Sequence, residues 1–201
     1  MEVKLKDTER IDDLQLKGLK VIQDKNGFCF GIDAVLLANF AKVKKRARVV
    51  DLGTGTGIIP VLIAGKSEAE KIVGVEIQEE VWEMANRTVK LNDLQDRLEI
   101  VKGDIKTIDK QLPVHGFNVA TSNPPYMHMN GIQNPNDKKA ISRHEVLCDL
   151  EDVIRAASRL VMPRGKFFMI HRPIRLVDIV TLGRKIQLRA QSNSICSSES
   201  K

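Results

Sequence analysis

The chain has 201 residues, of which 42% are hydrophobic, 29% charged and 4% aromatic. This length suits one medium-sized domain with a sizeable core, and these fractions exclude disordered and fibrous proteins. The 32 Lys and Arg exceed the 26 Asp and Glu by a formal net charge of +6, which is compatible with a nucleic-acid partner but does not require one.

The three cysteines are too few and too widely spaced for a disulfide framework. Cys29, Cys148 and Cys196 form no CxxC motif or Cys/His cluster, so we expect no disulfide, no zinc site and no other bound metal. Residues 1–13 are too charged for a signal peptide, and no apolar run approaches the roughly 20 residues of a membrane span. We therefore expect a soluble cytoplasmic protein that makes no membrane contact.

Residues 1–47 are expected to form a hairpin and a helix that pack on the following domain. Asn26-Gly27 favours the positive φ angles of a tight turn, which predicts a hairpin between strands at Leu19–Gln23 and Phe28–Phe30. Asp33 precedes an apolar run, and its side chain is predicted to cap a helix there.

From Arg48 onwards, short apolar strands alternate with helical segments. This alternation predicts an α/β fold: a doubly wound, mostly parallel Rossmann-like sheet with helices on both faces. Ligands in such sheets bind beyond the carboxyl ends of the strands. The predicted elements are strand Val49–Leu52, helix 58–66, strand Lys71–Glu76, helix Glu79–Asn92, strands Leu98–Lys102 and Phe117–Thr121, helix Leu150–Val161, strand Lys166–Ile170 and helix Ile174–Leu188.

A glycine-rich segment, Asp51-Leu-Gly-Thr-Gly-Thr-Gly57, follows the first of these strands. Glycines allow a tight turn and a close approach of the backbone to a ligand. The GxGxxG pattern of dinucleotide sites would require glycine at position 58, which is Ile, and no Walker lysine follows. The alternative is a turn that uses glycines for its own shape alone.

Acidic residues also lie at the carboxyl ends of the next two strands. Glu76 can accept hydrogen bonds from both hydroxyls of a ribose, and the alternative is a solvated acid that begins a helix. Asp104 can accept from an adenine amino group, and the alternative is an ordinary cap or turn residue. We favour the nucleoside interpretation for both, because the glycine-rich segment precedes them.

Asn123-Pro-Pro-Tyr126 follows the fourth strand and suits an exocyclic amine. If the Asn123 side-chain oxygen and the Pro124 carbonyl each accept one amine hydrogen, the nitrogen lone pair points away from both. Pro124 and Pro125 restrict the backbone to an extended shape, and Tyr126 can stack on a flat base or amide. The alternative is a proline-rich turn.

Together these motifs resemble class I S-adenosylmethionine-dependent methyltransferases of the N-methylating, NPPY-bearing branch. More specifically, the chain resembles the bacterial tRNA1(Val) (adenine-37-N6)-methyltransferase family from about Asp13 to Ile179. NPPY alone is shared with protein-glutamine and DNA adenine methyltransferases. The segments FGIDAVLLANF at 30–40 and RHE at 143–145 favour the tRNA branch.

The resemblance implies S-adenosyl-L-methionine as cofactor and the N6 amine of an adenine in tRNA as methyl acceptor. It also implies direct in-line displacement, with no metal and no covalent enzyme intermediate. On the N-terminal side it places Phe30 and Asp33 near cofactor or substrate, although a core aromatic and a helix cap would explain both. It assigns the target amine to Asn123, Pro124, Pro125 and Tyr126, and the cofactor to Asp51, Gly53, Thr54, Gly55, Gly57, Glu76, Asp104 and Ile105.

Segment 127–150 has little periodicity and directly follows the NPPY motif. Long segments of this kind are often functional, so we expect it to contact the substrate, with Lys138, Lys139 and Arg143 suited to phosphate groups. A solvated loop without a binding role is the alternative.

The family normally carries two further strands after the fifth, paired as an antiparallel hairpin, and no strand pattern follows position 188. We expect the methyltransferase domain to cover 48–188 and a disordered polar tail to cover 189–201. The fifth strand would then be an exposed apolar sheet edge, which predicts lower stability and a homodimer formed through that edge.

Two other functions stay open at this point. One is methylation of protein glutamine, or of another small-molecule or macromolecular amine. The other is a cofactor-binding domain whose catalysis is impaired.

Overall fold

The computed structural model describes residues 3–27, 29–124 and 148–186. Two 3-10 helices, Ile105–Lys110 and Pro173–Arg175, accompany the regular elements. In chain order these are β1 (Glu9–Asp13), β2 (Lys20–Asp24), α1 (Ile32–Phe40), β3 (Arg48–Leu52), α2 (Ile58–Lys66), β4 (Lys71–Glu76), α3 (Glu79–Leu91), β5 (Leu98–Lys102), β6 (Phe117–Ser122), α4 (Leu150–Leu160), β7 (Val161–Met169) and α5 (Leu176–Lys185).

Strands β3 to β7 form one parallel sheet in the order β5-β4-β3-β6-β7. From β3 the chain passes to β4 and β5 on one side, and then returns to β6 and β7 on the other. The reversal of strand order therefore lies between β3 and β6, where Leu52 is paired with Ser122. The predicted doubly wound α/β sheet is confirmed, and open sheets of this kind bind ligands at such a reversal.

Two apolar clusters cover the two faces of the sheet because successive strand residues point in opposite directions. Val49 belongs to the cluster that includes residues of α1, α2 and α3. Val50 and Leu52 belong to the cluster that includes residues of α4. Helix α2 is buried from Ile58 to Gly65, since it lies between the sheet and α1.

The predicted hairpin is wrong in one of its two strands, because β2 pairs with a strand that precedes it and not with residues 29 and 30. β2 pairs antiparallel with β1, so that Asp13 lies opposite Lys20. Asn26-Gly27 does form a turn, in which the Gly27 N–H donates to the Asp24 carbonyl at 3.0 Å. The residues after that turn do not form the second strand at positions 29 and 30, and Phe28 lies outside the described residues. β1 is the charged run ERIDD, which lacks the apolar alternation that indicates a strand.

Helix α1 begins two residues earlier than predicted. Its N-cap is Gly31, and Asp33 lies within the first turn rather than at the cap. A carboxylate in the first turn is still favourable, because the N-terminal end of a helix carries partial positive charge.

Strand β7 begins at Val161, five residues before the predicted start, and α4 ends at Leu160. Val161 pairs with Phe117, whereas Lys166 pairs with Val119, so the register shifts between them. The irregular stretch contains Pro163. Proline is tolerated here because β7 pairs only with β6 among the described residues, which leaves it as an edge strand.

The last helix is also shorter than predicted. α5 begins at Leu176, after the 3-10 turn at Pro173–Arg175, and ends at Lys185. The rest of the predicted helix and the predicted polar tail lie outside the described residues from position 187 onwards. Over the ranges that the structure describes, no helix combines the length and apolarity that crossing a bilayer requires.

The N-terminal hairpin is fixed to α3 by polar contacts. Both Arg87 Nη atoms donate to the Glu9 carboxylate at 2.6 Å, and Glu9 is only 6% exposed. The Lys20 N–H donates to Asn92 Oδ1 at 2.7 Å, and the Ile22 N–H donates to Thr88 Oγ1 at 3.1 Å. Successive β2 residues thus meet earlier turns of α3, so β2 runs antiparallel to α3.

Candidate active site

The glycine-rich loop after β3 has a backbone that glycine alone adopts easily. Gly53, Gly55 and Gly57 have φ angles of +72°, +57° and +84°. The Gly53 and Thr54 N–H groups donate to the Val75 carbonyl at 3.0 and 2.9 Å, which turns the loop towards β4. A Cβ atom built on Gly55 would meet no atom of the described residues within 4 Å, so none of them fills the space at this part of the loop.

Glu76, the last residue of β4, holds this loop in place. Its carboxylate accepts from the N–H groups of Gly55 at 3.0 Å, Ile77 at 3.0 Å and Gln78 at 2.9 Å. Burial raises the pKa of Glu76, and these backbone hydrogen bonds oppose the rise. Because Glu76 is only 5% exposed, the alternative of a solvated acid is wrong. A carboxylate offers about four acceptor positions, so contact with a ribose hydroxyl stays a prediction.

Asp51 is a fully buried carboxyl group on β3. Its Oδ1 accepts from Thr121 Oγ1 at 2.6 Å. Its Oδ2 and the Thr54 Oγ1 are both buried and form no hydrogen bond within the described part of the chain. Burial raises the pKa of Asp51 to about 6; the hydrogen bond from the Thr121 hydroxyl opposes this rise, and the Glu76 charge adds to it. The site therefore contains a buried carboxyl group with a raised pKa, one oxygen of which accepts no hydrogen bond within the described residues.

Asp104 and Ile105 lie beside the same loop. The Asp104 Oδ1 accepts from the Lys106 N–H at 2.9 Å and caps the 3-10 helix. The cap interpretation is thus confirmed, and contact with an adenine stays a prediction. The Ile105 Cδ1 would lie 3.8 Å from a Cβ on Gly53, so this side chain borders the start of the loop.

Asn123 and Pro124 lie directly after β6, across the strand reversal from the glycine loop. The Ser122 Oγ donates to the Leu52 carbonyl at 2.8 Å, which ties the ends of β6 and β3 together. Asn123 is half-buried and Pro124 is buried. The structure therefore brings the start of the NPPY motif next to the predicted cofactor loop.

Several predicted site residues cannot be placed in this geometry. Pro125 and Tyr126 of the motif lie outside the described residues, as do the proposed phosphate contacts Lys138, Lys139 and Arg143. No group of three or more His, Cys, Asp or Glu residues that could hold a metal ion occurs within 3–27, 29–124 and 148–186.

Phe30 is partly buried against the α1–α3 side of the core, and Asp33 lies in the first turn of α1. The Phe30 N–H donates to Gln23 Oε1 at 2.8 Å. Sequence reasoning did not single out Gln23, which is only 1% exposed. The feature of the sequence that could have pointed to Gln23 is a large polar side chain within the short strand KVIQD.

The fold and the site together define a Rossmann-like class I methyltransferase: a parallel sheet with a glycine loop, an acidic residue after the next strand and a polar motif at the strand reversal. The chain belongs to the methyltransferase small domain family, whose family model matches residues 20–174.

Individual relatives carry more specific names. The tRNA1(Val) (adenine(37)-N6)-methyltransferase of Phocaeicola vulgatus is 32% identical over 154 residues, which cover 77% of this chain and 64% of that protein. The enzyme of the same name from Bacteroides thetaiotaomicron is 31% identical over 160 residues, which cover 78% and 65%. The chain thus spans less than two thirds of the length of these curated relatives.

A solved structure, that of a predicted O-methyltransferase from Agrobacterium tumefaciens, is similar with a TM-score of 0.59 at 27% identity. The similarity covers 75% of this chain and 66% of that one.

Proposed function

We propose that this chain is an S-adenosylmethionine-dependent N-methyltransferase that acts on the N6 amine of an adenine in tRNA, in the cytoplasm. The observation that carries the proposal is the position of Asn123-Pro124 beside the glycine loop, fixed by the Leu52–Ser122 pair. The names of the curated relatives support adenine in tRNA as the acceptor.

The residues around the loop fit this cofactor. The Asp51 Oδ2 and Thr54 Oγ1 are buried without a partner in the described chain, and an ammonium group would satisfy the carboxylate oxygen. The space at Gly55 that no described residue fills leaves room for a ligand next to the backbone. In this proposal Gly53, Gly55 and Gly57 hold the methionine part and Asp51 its amino group, while Glu76 accepts from the ribose and Asp104 from the adenine. When bound, the cofactor supplies a methyl group on a positively charged sulfur, which an aligned amine can attack in line.

The protein's own contribution is then alignment of the acceptor. The Asn123 side-chain oxygen and the Pro124 carbonyl accept the two amine hydrogens and direct the lone pair, while Tyr126 stacks on the base. Such alignment is a large part of the catalytic effect in group transfer, and a small displacement can cost about 100-fold in rate. An adenine in an RNA loop is splayed out of its stack to enter the site.

The proposal is tested by transfer of a labelled methyl group from S-adenosylmethionine to bulk bacterial tRNA, followed by digestion to nucleosides. We expect label in N6-methyladenosine, and a loss of about 100-fold in Asn123→Ala with binding of S-adenosylhomocysteine retained. Asn118→Ala is the matched control: Asn118 lies near the opposite end of β6, where its Oδ1 accepts from the Arg48 N–H at 2.7 Å. Cofactor binding without label in tRNA would refute the substrate, and label in another nucleoside would refute the position of transfer.

A further inference from the structure

The segment before α1 reaches the cofactor edge of the sheet because of the direction of β2. The first residue of β2, Lys20, contacts Asn92 beyond the end of α3, whereas Ile22 contacts Thr88 one turn earlier. α3 begins just after Glu76, at the carboxyl end of β4. Since β2 runs antiparallel to α3, its last residues approach that same end of the sheet. The turn at 25–27 and residues 29–31 therefore lie on the side where the glycine loop and Glu76 are found.

Gln23 connects this segment to the hairpin through both ends of its amide group. The Oε1 accepts from the Phe30 N–H at 2.8 Å, and the Nε2 donates to Asp12 Oδ2. The Arg10 guanidinium in turn donates to that Asp12 oxygen, with distances of 3.2 Å from Nε and 3.1 Å from Nη2. Because the oxygen and the nitrogen of this buried amide are both hydrogen-bonded, its orientation is fixed, and so is the position of the Phe30 N–H that donates to it.

A second contact holds the residue before Phe30. The Cys29 Sγ donates to the Asp24 carbonyl at 3.7 Å, and the Arg10 Nη2 lies 4.0 Å from the same sulfur. The N-cap of α1, Gly31, makes no side-chain capping hydrogen bond. The N–H of Phe30 is thus a backbone group through which the hairpin contacts the segment before this helix.

We propose that Gln23 is a positioning residue of the cofactor site: it holds the backbone of Phe30 so that the aromatic ring forms one wall of that site. The proposal rests on the proposed function and adds a residue outside the glycine loop and the NPPY motif. Without Gln23 the segment occupies its binding-competent position for only part of the time. The apparent dissociation constant rises by the inverse of the competent fraction.

The first test is amide hydrogen exchange on the cofactor-free protein. In Gln23→Met, which keeps the length of the side chain but not its hydrogen bonds, we expect the Phe30 amide to exchange roughly ten times faster, because its acceptor is lost. Amides of β3 and β4 should be unchanged. Asn92→Ala is the matched control, since it removes two hydrogen bonds to Lys20 at the far end of β2. Faster exchange at Phe30 in the control as well, or unchanged exchange in Gln23→Met, would overturn the proposal.

The second test is the affinity for S-adenosylhomocysteine by calorimetry, in a double-mutant cycle with Phe30→Ala. We expect Gln23→Met to raise the dissociation constant roughly tenfold in the parent chain and to have almost no effect in Phe30→Ala, because Gln23 acts through Phe30. Equal effects in both backgrounds would show a general structural role and overturn the proposal. If the parent chain does not bind S-adenosylhomocysteine, the proposed function fails and this role fails with it. The exchange result would still show whether Gln23 holds Phe30.

Discussion

Asp51 makes the stability of this protein depend on pH in a direction opposite to that of most carboxylates. The group is fully buried, and its pKa is raised from 3.8 to about 6. The native carboxyl therefore keeps its proton up to about pH 6, whereas the unfolded chain loses it near the ordinary value. Its contribution to the free energy of unfolding is fully present below pH 3.8 and is lost as the pH rises to about 6.

The size of this effect follows from the two pKa values. They differ by about two units, and each unit corresponds to about 1.4 kcal/mol, so ionisation of Asp51 in the native state costs roughly 3 kcal/mol. Asp51→Asn removes the ionisation and keeps an oxygen that can accept from Thr121. We expect the free energy of unfolding of this variant, relative to that of the parent chain, to be roughly 3 kcal/mol higher at pH 8 than at pH 4.

Urea unfolding of the parent and of Asp51→Asn at several pH values between 4 and 8 measures this difference, because the other titrating groups are shared. Thr121→Val provides a second check. It removes the hydroxyl that lowers the pKa of Asp51, so the loss of stability should extend to higher pH. A free-energy difference between parent and Asp51→Asn that does not change with pH would refute the assignment of a raised pKa.

The same ionisation should govern cofactor affinity if the ammonium group binds at Asp51. At pH 5, one unit below a pKa of about 6, roughly one tenth of the carboxyl is ionised. We therefore expect the affinity for S-adenosylhomocysteine to rise about tenfold from pH 5 to pH 7, and to stay level in Asp51→Asn. If the affinity of Asp51→Asn rose with pH as much as that of the parent chain, the ammonium group would have to bind elsewhere.

Two further predictions concern the edges of the fold. Arg87→Ala leaves the buried carboxylate of Glu9 without its two guanidinium hydrogen bonds, which should lower the free energy of unfolding at pH 7 by about 3 kcal/mol in urea titrations. Because Arg87 lowers the pKa of Glu9, the difference should shrink as the pH falls through that lowered pKa, and a constant difference would contradict the ion pair. We also propose that two copies associate through the outer edge of β7, which has no partner strand among the described residues. Light scattering should then show a dimer, and a clean monomer across a range of concentrations would exclude it.

The predictable elements were those with apolar runs bounded by clear interruptions. Strands Lys71–Glu76 and Leu98–Lys102 and helix 58–66 have the predicted bounds, because each is an apolar run that is bounded by glycine or charged residues. β1 was missed since its charged sequence lacks apolar alternation, and the partner of its buried Glu9 is Arg87, which lies 78 residues further along the chain. The early start of β7 was missed since it depends on a register shift against β6, and a register shift has no local signal.

The positions of Asp51, Glu76 and Asp104 at the strand ends could be predicted from the sequence, whereas the hydrogen bonds of their side chains could not. Three backbone N–H groups donate to the Glu76 carboxylate and tie it to the glycine loop. That contact depends on the turn of the loop towards β4, which the glycine spacing alone does not determine. Gln23 accepts from the N–H of Phe30, seven residues further along the chain, so no short motif contains this contact.

The arrangement of charge suggests how a basic protein can serve both ligands proposed for it. The chain carries a net charge of +6, which attracts a polyanion such as tRNA but opposes a cationic cofactor. The two carboxyl groups of the proposed cofactor site, Asp51 and Glu76, are both buried, and burial raises the pKa of each. A positive charge bound next to them would favour ionisation and so stabilise the complex. We infer that the energetic cost of burying these carboxyl groups is offset when the cofactor binds.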